Sequence, residues 1–432
     1  MVRLSFAIGY TRIATIVIAV WLAMLPAPVT GARVIATVHG VDRRTVLVAG
    51  AVVDVAVDGR TGRAFMATIL RDSGQGAIEM VDVRRGTILR TTMTGLNPIA
   101  IAIDARTRRV FVSCSGPLRP DGYEPRGRGS ITVLDADTGR LVRTERGVHY
   151  PDQLAVDEAS GRVFVLNLHR VLNSADQGLT PVNRDTLGLV DARVGRLLRV
   201  LAPGAPGVGN APSLGVDEAL GRAFVLLNDG TVRALDATTG TTLWTTRIPG
   251  GNQYDVYTLF IDRSRHRIVV SADQTTDPAF VVLMDGRTGK ILVNEGVISF
   301  GAARGMVGAI DGTHGRAVFI DTYPGSGVYS SESAYVLDTR TGGAVGTIAL
   351  GAAPQDGPGP KGVSVDEGPG RAYIKTTRGL TVVDVRDGHI LRRIPAGGDS
   401  SLMVSDGPAR SLLLLANVGH TTTLTILDTS HL

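Results

Sequence analysis

The sequence predicts an all-β fold, a single β-propeller of four-stranded antiparallel blades, on three observations. Two hairpin patterns alternate eight times along the chain. No segment of helical period interrupts them. The strand count closes only if a segment near the amino terminus joins the last blade.

The first pattern is an apolar stretch ending in Asp, a four-residue turn, then Arg and a second apolar stretch, as in AVDEASGRVFVL from Ala155 and GVDEALGRAFVL from Gly215. Its aspartates are Asp58, Asp104, Asp157, Asp217, Asp262, Asp311, Asp366 and Asp406, and Arg63, Arg109, Arg162, Arg222, Arg267, Arg316 and Arg371 follow at the fifth position. A side-chain carboxylate accepts turn N–H groups, so each pattern reads as a β-hairpin that satisfies its own turn. The Arg is expected to bond across the hairpin base or to the adjacent blade. Repetition in every unit makes these residues structural rather than an array of calcium sites.

The second pattern is an alternating stretch ending in Asp, with Gly four positions later, as in TVLDADTGRLVR from Thr132. Its aspartates are Asp82, Asp135, Asp191, Asp236, Asp285, Asp338, Asp384 and Asp428. Gly86, Gly139, Gly195, Gly240, Gly289, Gly342 and Gly388 complete all but the last. Glycine there supplies the positive φ that closes a short hairpin loop.

Two hairpins make one unit of strands A to D, about 50 residues long, which is blade-sized. Two positions before the first-pattern Asp the residue is small in most copies (Ala56, Ala102, Ala155, Gly215, Ala309, Ser364), as innermost strands around a channel require. Eight units supply only seven D strands. ARVIATVHGVDRRTVLVAG, from Ala32 to Gly50, resembles a C–D hairpin placed before the first A strand. Its TVLV stretch, or the preceding VIATV, is expected to complete the last blade and join the chain ends. A seven-bladed ring is the alternative.

Residues 1–32 have the grammar of an export signal: Arg3 and Arg12, an apolar run from Ile13 to Leu25, then PAPVTGA. That run is shorter than the about 20 residues a membrane span needs, so cleavage after Ala32 is expected, an uncleaved anchor being the alternative. The expected domains are a signal peptide, 1–32, and a propeller, 33–432. No membrane span is expected after cleavage, and the expected location is secreted or periplasmic. Cys114 is the only cysteine, so no intrachain disulfide, haem-attachment motif or cysteine zinc site can form. It reads as an incidental, partly buried thiol.

The chain has 432 residues, 44% hydrophobic and 20% charged, with a formal net charge of +5. It is therefore globular and close to neutral. The longest basic cluster is RTRR at Arg106 to Arg109, and acids are interleaved everywhere, which excludes a phosphate-tracking stripe and hence nucleic acid as a partner.

NPIAIAIDARTRRVFVS from Asn97 and YPDQLAVDEASGRVFVL from Tyr150, each leading to an L/V-D-x-x-T-G strand or a variant of it, resemble YVTN-type β-propeller repeats over residues 33–432. DGTVRALDATTGTTLW from Asp229 resembles a quinoprotein repeat instead, with Trp244 in place of that family's tryptophan. The resemblance extends to propellers of the quinoprotein amine-dehydrogenase β-chain type. It implies an exported bacterial propeller, in a group holding binding proteins, surface proteins and redox-enzyme subunits. The adjacent-cysteine pair of many quinoprotein dehydrogenases is impossible with Cys114 alone, and no cofactor is expected.

The A–B and C–D turns share one face and are short. The other face carries the long connections, among them CSGPLRPDGYEPRGRGS from Cys114 and NLHRVLNSADQGLTPVNRDT from Asn167. Long loops on a rigid scaffold are where binding and catalysis concentrate. Candidate binding residues there are His149, Tyr150, Asp152, His169 and Arg170 around blade three, with Asn252, Tyr254, Asp255, Tyr257, Arg304 and Tyr323 from later blades. Tyrosines with Asn and Asp suit a protein, peptide or glycan ligand. No catalytic residue and no metal site is assigned; His149, Asp152 and His169 are the candidates if a divalent metal binds. No G-x-S-x-G, Walker or H-E-x-x-H motif occurs. The expected function is non-catalytic binding through the long-loop face. The alternative is an enzyme or redox-enzyme subunit, a lyase, lactonase or amine-dehydrogenase-like β chain, with a site at the channel mouth. Nothing in the sequence specifies an oligomeric state.

Overall fold

The computed structural model describes residues 34–38, 41–70, 74–117, 128–167, 186–201, 213–227, 229–249, 256–273, 280–293, 304–323, 331–352, 362–376, 378–395, 400–418, 421–430 and 432. These form eight antiparallel sheets, seven of four strands and one of five. The inner strands begin with Ala51–Asp58 in blade one and end with Ser400–Asp406 in blade eight. Each touches the inner strand of the next blade, and those of blades one and eight touch each other, so the ring closes on itself with eight blades rather than seven. No helix among the described residues is long and apolar enough to cross a membrane.

The closure is made by the amino-terminal hairpin, β1 (Val34–Val38) and β2 (Val41–Ala49). β2, which contains TVLV, is the outer strand of blade eight and pairs with Thr421–Asp428 from Arg43 opposite Leu427 to Ala49 opposite Thr421. Alternation turns Val46 and Val48, each 1% exposed, into the core between blades eight and one, with Leu413, Leu415, Leu424 and Ile426. β1, which is VIATV, lies outside β2 as a fifth strand.

The punctuation performs as the patterns require. Within the A–B turns, seven of the buried aspartates accept a turn N–H at 2.7 to 3.2 Å. In the C–D turns all eight accept one at 2.8 to 2.9 Å. The seven C–D glycines all have positive φ, from 63° to 80°. They also admit a neighbour: a Cβ on Gly289 would lie 2.6 Å from the ring of Trp244. Trp244 is thus an inter-blade packing residue, 5.9 Å from Phe224 between ring centres. Cys114 is fully buried in the packing between blades one and two, which corrects the expectation of a partly buried thiol.

The fifth-position arginines divide as expected. Arg109, Arg267 and Arg316 pair at 2.6 to 3.0 Å with the second-pattern Asp directly opposite in their own blade. Arg63, Arg222 and Arg371 donate to carbonyls of the following blade at 2.7 to 3.3 Å. The two sequence patterns therefore interlock through one Arg.

The outer strands of blades one to seven share a device that the repeat did not announce. Each breaks register three residues after the C–D glycine, where a β-bulge leaves one extra residue. The extra residues are Leu89, Val142, Leu198, Leu243, Leu292, Val345 and Leu391, apolar yet 36% to 46% exposed. β2 runs against its partner without a register shift.

Candidate functional site

His169, Arg170, Asn252, Tyr254 and Asp255 lie outside the described residues, as do the side chains of Tyr257, Arg304 and Tyr323. The backbones of the last three are in strands, and Arg304 stands directly opposite Tyr323 at the long-loop end of blade six. His149, Tyr150 and Asp152 lie where the chain enters the inner strand of blade three, Pro151–Asp157. His149 is exposed, and its carbonyl accepts the Gly129 N–H at 2.6 Å. Tyr150 is half-buried and packs on the core between blades three and four. Asp152 and Gln153 fall in a register break between Pro151 and Leu154. The Asp152 carbonyl accepts the Ser113 hydroxyl of blade two at 3.0 Å. Among the described residues no three His, Cys, Asp or Glu side chains are grouped to hold a metal ion.

Down the channel wall, in three blades the residue four positions before the first-pattern Asp bonds forward to the next inner strand. Asp54 Oδ2 accepts the Ile101 N–H at 2.8 Å, Gln153 Oε1 that of Leu214 at 3.1 Å, and Ser213 Oγ that of Leu259 at 3.2 Å. Asp54 also accepts the Val55 N–H at 2.8 Å. Burial pushes its carboxyl up to about 6 against the pull of these two amides. Since the folded value exceeds the ordinary 3.8, the native state keeps a proton that the unfolded chain has released. Asp54 therefore makes stability fall as pH rises between those two values. We expect Asp54→Asn to flatten the plot of unfolding free energy against pH over that interval; a slope equal to wild type would refute this assignment.

The turn-face mouth is acidic and stitched. Glu158, Glu218 and Glu367 each follow a first-pattern Asp and reach back to a backbone N–H of the preceding blade: Ala105 at 2.8 Å for Glu158, Glu158 for Glu218 and Gly312 for Glu367. Burial raises the carboxyls of Glu218, Asp366, Glu367 and Asp406 above their ordinary range, and neighbouring carboxylates around the narrow ring add to it. Five C–D aspartates, Asp135, Asp236, Asp285, Asp338 and Asp384, go the other way. Asp338 and Asp384 are held low chiefly by Arg340 and Arg386, and Asp236 by the Thr239 N–H.

Inside this mouth lies a cavity of about 620 Å³ walled by Leu214, Val216, Leu259, Phe260, Ile261 and Ile310, with Arg263, Ser264, Thr313 and Glu367 at its rim. Gly215 keeps the wall close, since a Cβ there would meet Leu259 and Ile261 at 2.7 Å. The cavity offers apolar burial beside a cation, a carboxyl and two hydroxyls, and its volume is that of a small-molecule pocket. Sequence reading passed over it because its walls are ordinary inner-strand positions. Its one acid, Glu367, was visible in the D-E pair of SVDE, and the other acids of the mouth, Glu158 and Glu218, in those of AVDE and GVDE.

These features define an eight-bladed β-propeller with a polar, bonded turn face and a long-loop face opposite. No family model matches the chain, and no curated protein does. Solved structures do. Sqt1 of Saccharomyces cerevisiae is 9% identical with a TM-score of 0.60, covering 87% of this chain and 96% of its own. BamB of Moraxella catarrhalis is 15% identical with a TM-score of 0.56, covering 91% and 100%. The computationally designed protein Ika8 is 15% identical with a TM-score of 0.58, covering 87% and 96%. A dihydro-heme d1 dehydrogenase, NirN, is similar at 16% identity and a TM-score of 0.56, covering 84% and 69%. The likeness shows the fold alone, since an enzyme and a designed chain share it.

Proposed function

We propose that this chain is an exported, non-catalytic propeller that binds a protein or peptide partner, or a glycan, through the face carrying its long loops. The observation that carries this reading is the sidedness of the chain. Every A–B and C–D turn is short, bonded within itself and often to the next blade. At the other face long segments of chain connect Cys114 to Ser130, Asn167 to Thr186 and Leu201 to Ser213. Short bonded turns supply rigidity, and long connections are free to carry recognition. The YVTN-like repeats and the signal-like residues 1–32 support export.

The test screens the chain from residue 33 against a displayed random-peptide library and a glycan array. A variant whose residues 168–185 are replaced by a two-residue hairpin loop serves as the comparison. Loss of the selected ligands with an unchanged melting temperature is expected. Ligands that bind the shortened variant equally well would sink the reading.

A further inference from the structure

We propose that the outer edge of β1 is the surface on which two copies of this chain associate, β1 pairing antiparallel with its symmetry mate about a two-fold axis at Ala36. A blade's outer strand presents unpaired N–H and C=O groups that template another strand, and a bulge defeats such templating by twisting the edge. Blades one to seven carry that bulge. Blade eight lacks it in β2, and blade eight is the one that has accepted a fifth strand.

The exposed edge has thereby moved to β1, which holds none of the usual guards. β1 pairs with β2 over five consecutive residues with no register shift, so it carries no bulge. Its sequence, VIATV, has no charge and no proline. No strand among the described residues lies outside it.

Backbone parity fixes the pairing. Val38 stands opposite Val41, two residues of chain joining them, so this closing pair exchanges its hydrogen bonds. Alternate residues follow suit, and Val34 and Ala36 bond inward to β2. Ile35 and Thr37 therefore turn their N–H and C=O groups outward. With the axis at Ala36, Ile35 of one copy faces Thr37 of the other, and all four groups on each copy find partners. A second copy fits better than a foreign strand because one isologous contact satisfies both edges at once, whereas an added strand leaves its own outer edge open. The result joins the two closing blades into one continuous ten-stranded sheet.

Sedimentation velocity on the chain from residue 33, over a dilution series, should show a monomer–dimer equilibrium. Ile35→Pro removes an outward N–H without touching the inward bonds to β2, so it should yield a monomer with the wild-type melting temperature. Ala36→Cys should give a disulfide-linked dimer on mild oxidation, the buried Cys114 taking no part. A wild-type monomer throughout, a dimer that survives Ile35→Pro, or no cross-link through position 36 would each overturn the proposal.

Discussion

A chain lacking residues 32–48 should lose about 3–6 kcal/mol of stability from Val46 and Val48 alone, at about 1.5–3 kcal/mol for each fully buried side chain. The loss is larger in practice because the whole β2 ladder to Thr421–Asp428 goes with it. Both valines sit between blades eight and one, so their removal loosens two sheets. The last blade is also left with an open C strand, an edge prone to aggregation. Calorimetry should show the melting temperature down by about 4–7 °C from these two side chains, and by more with the ladder lost. A synthetic peptide of residues 41–49 supplied in excess should recover part of the loss, as any ligand selective for the folded state does. An unchanged melting temperature would mean that the ring does not depend on this seam.

The second large effect belongs to Asp262. Its carboxylate is fully buried and accepts the Arg265 N–H at 3.1 Å, the Ser264 hydroxyl at 2.8 Å and, from the next blade, the Thr339 hydroxyl at 2.5 Å. Asp262→Ala strands the fully buried Thr339 hydroxyl, at about 1–3 kcal/mol for a buried donor left unsatisfied, and loses two bonds of a partly exposed turn as well, so it should destabilise by about 2–4 kcal/mol. Asp236 is the control. It caps an exposed C–D turn, its bonds to Thr238 and Thr239 are local, and Asp236→Ala should cost only about 1 kcal/mol. Equal losses in the two variants, measured by denaturant unfolding, would show that the A–B aspartates do no more than shape their own turns.

The contrast between these two residues also marks how far the sequence could be read. Turn chemistry is local, so Asp with Arg or Gly at fixed spacing announced fifteen hairpins, eight A–B and seven C–D, and, through the missing D strand, the seam. Which of VIATV and TVLV would enter the last blade was not legible, because both are apolar and both suit a strand. Only pairing against Thr421–Asp428 decides it. The links between blades were hidden for a different reason. Asp54, Gln153 and Ser213 perform one task with three side chains, on partners 46 to 61 residues away, so no repeated letter betrays them. The bulges left a trace, the apolar residue three places after each C–D glycine, but alternation alone reads it as part of an ordinary strand. Of the proposed binding residues, Tyr150 packs partly on the core between blades three and four, since adjacency to a long loop says nothing about what a side chain packs on.

The seam sets an order of events. Arg43 meets Thr425 across 382 residues of chain, so β2, which pairs with β1 as soon as both leave the ribosome, must wait for the last strand before its inner edge is paired. Seven sheets have local partners and can assemble as they emerge, whereas the eighth carries nearly the full entropic cost of loop closure. Completion of the circle is therefore the expected slow step of maturation, and in reverse the place where unravelling begins.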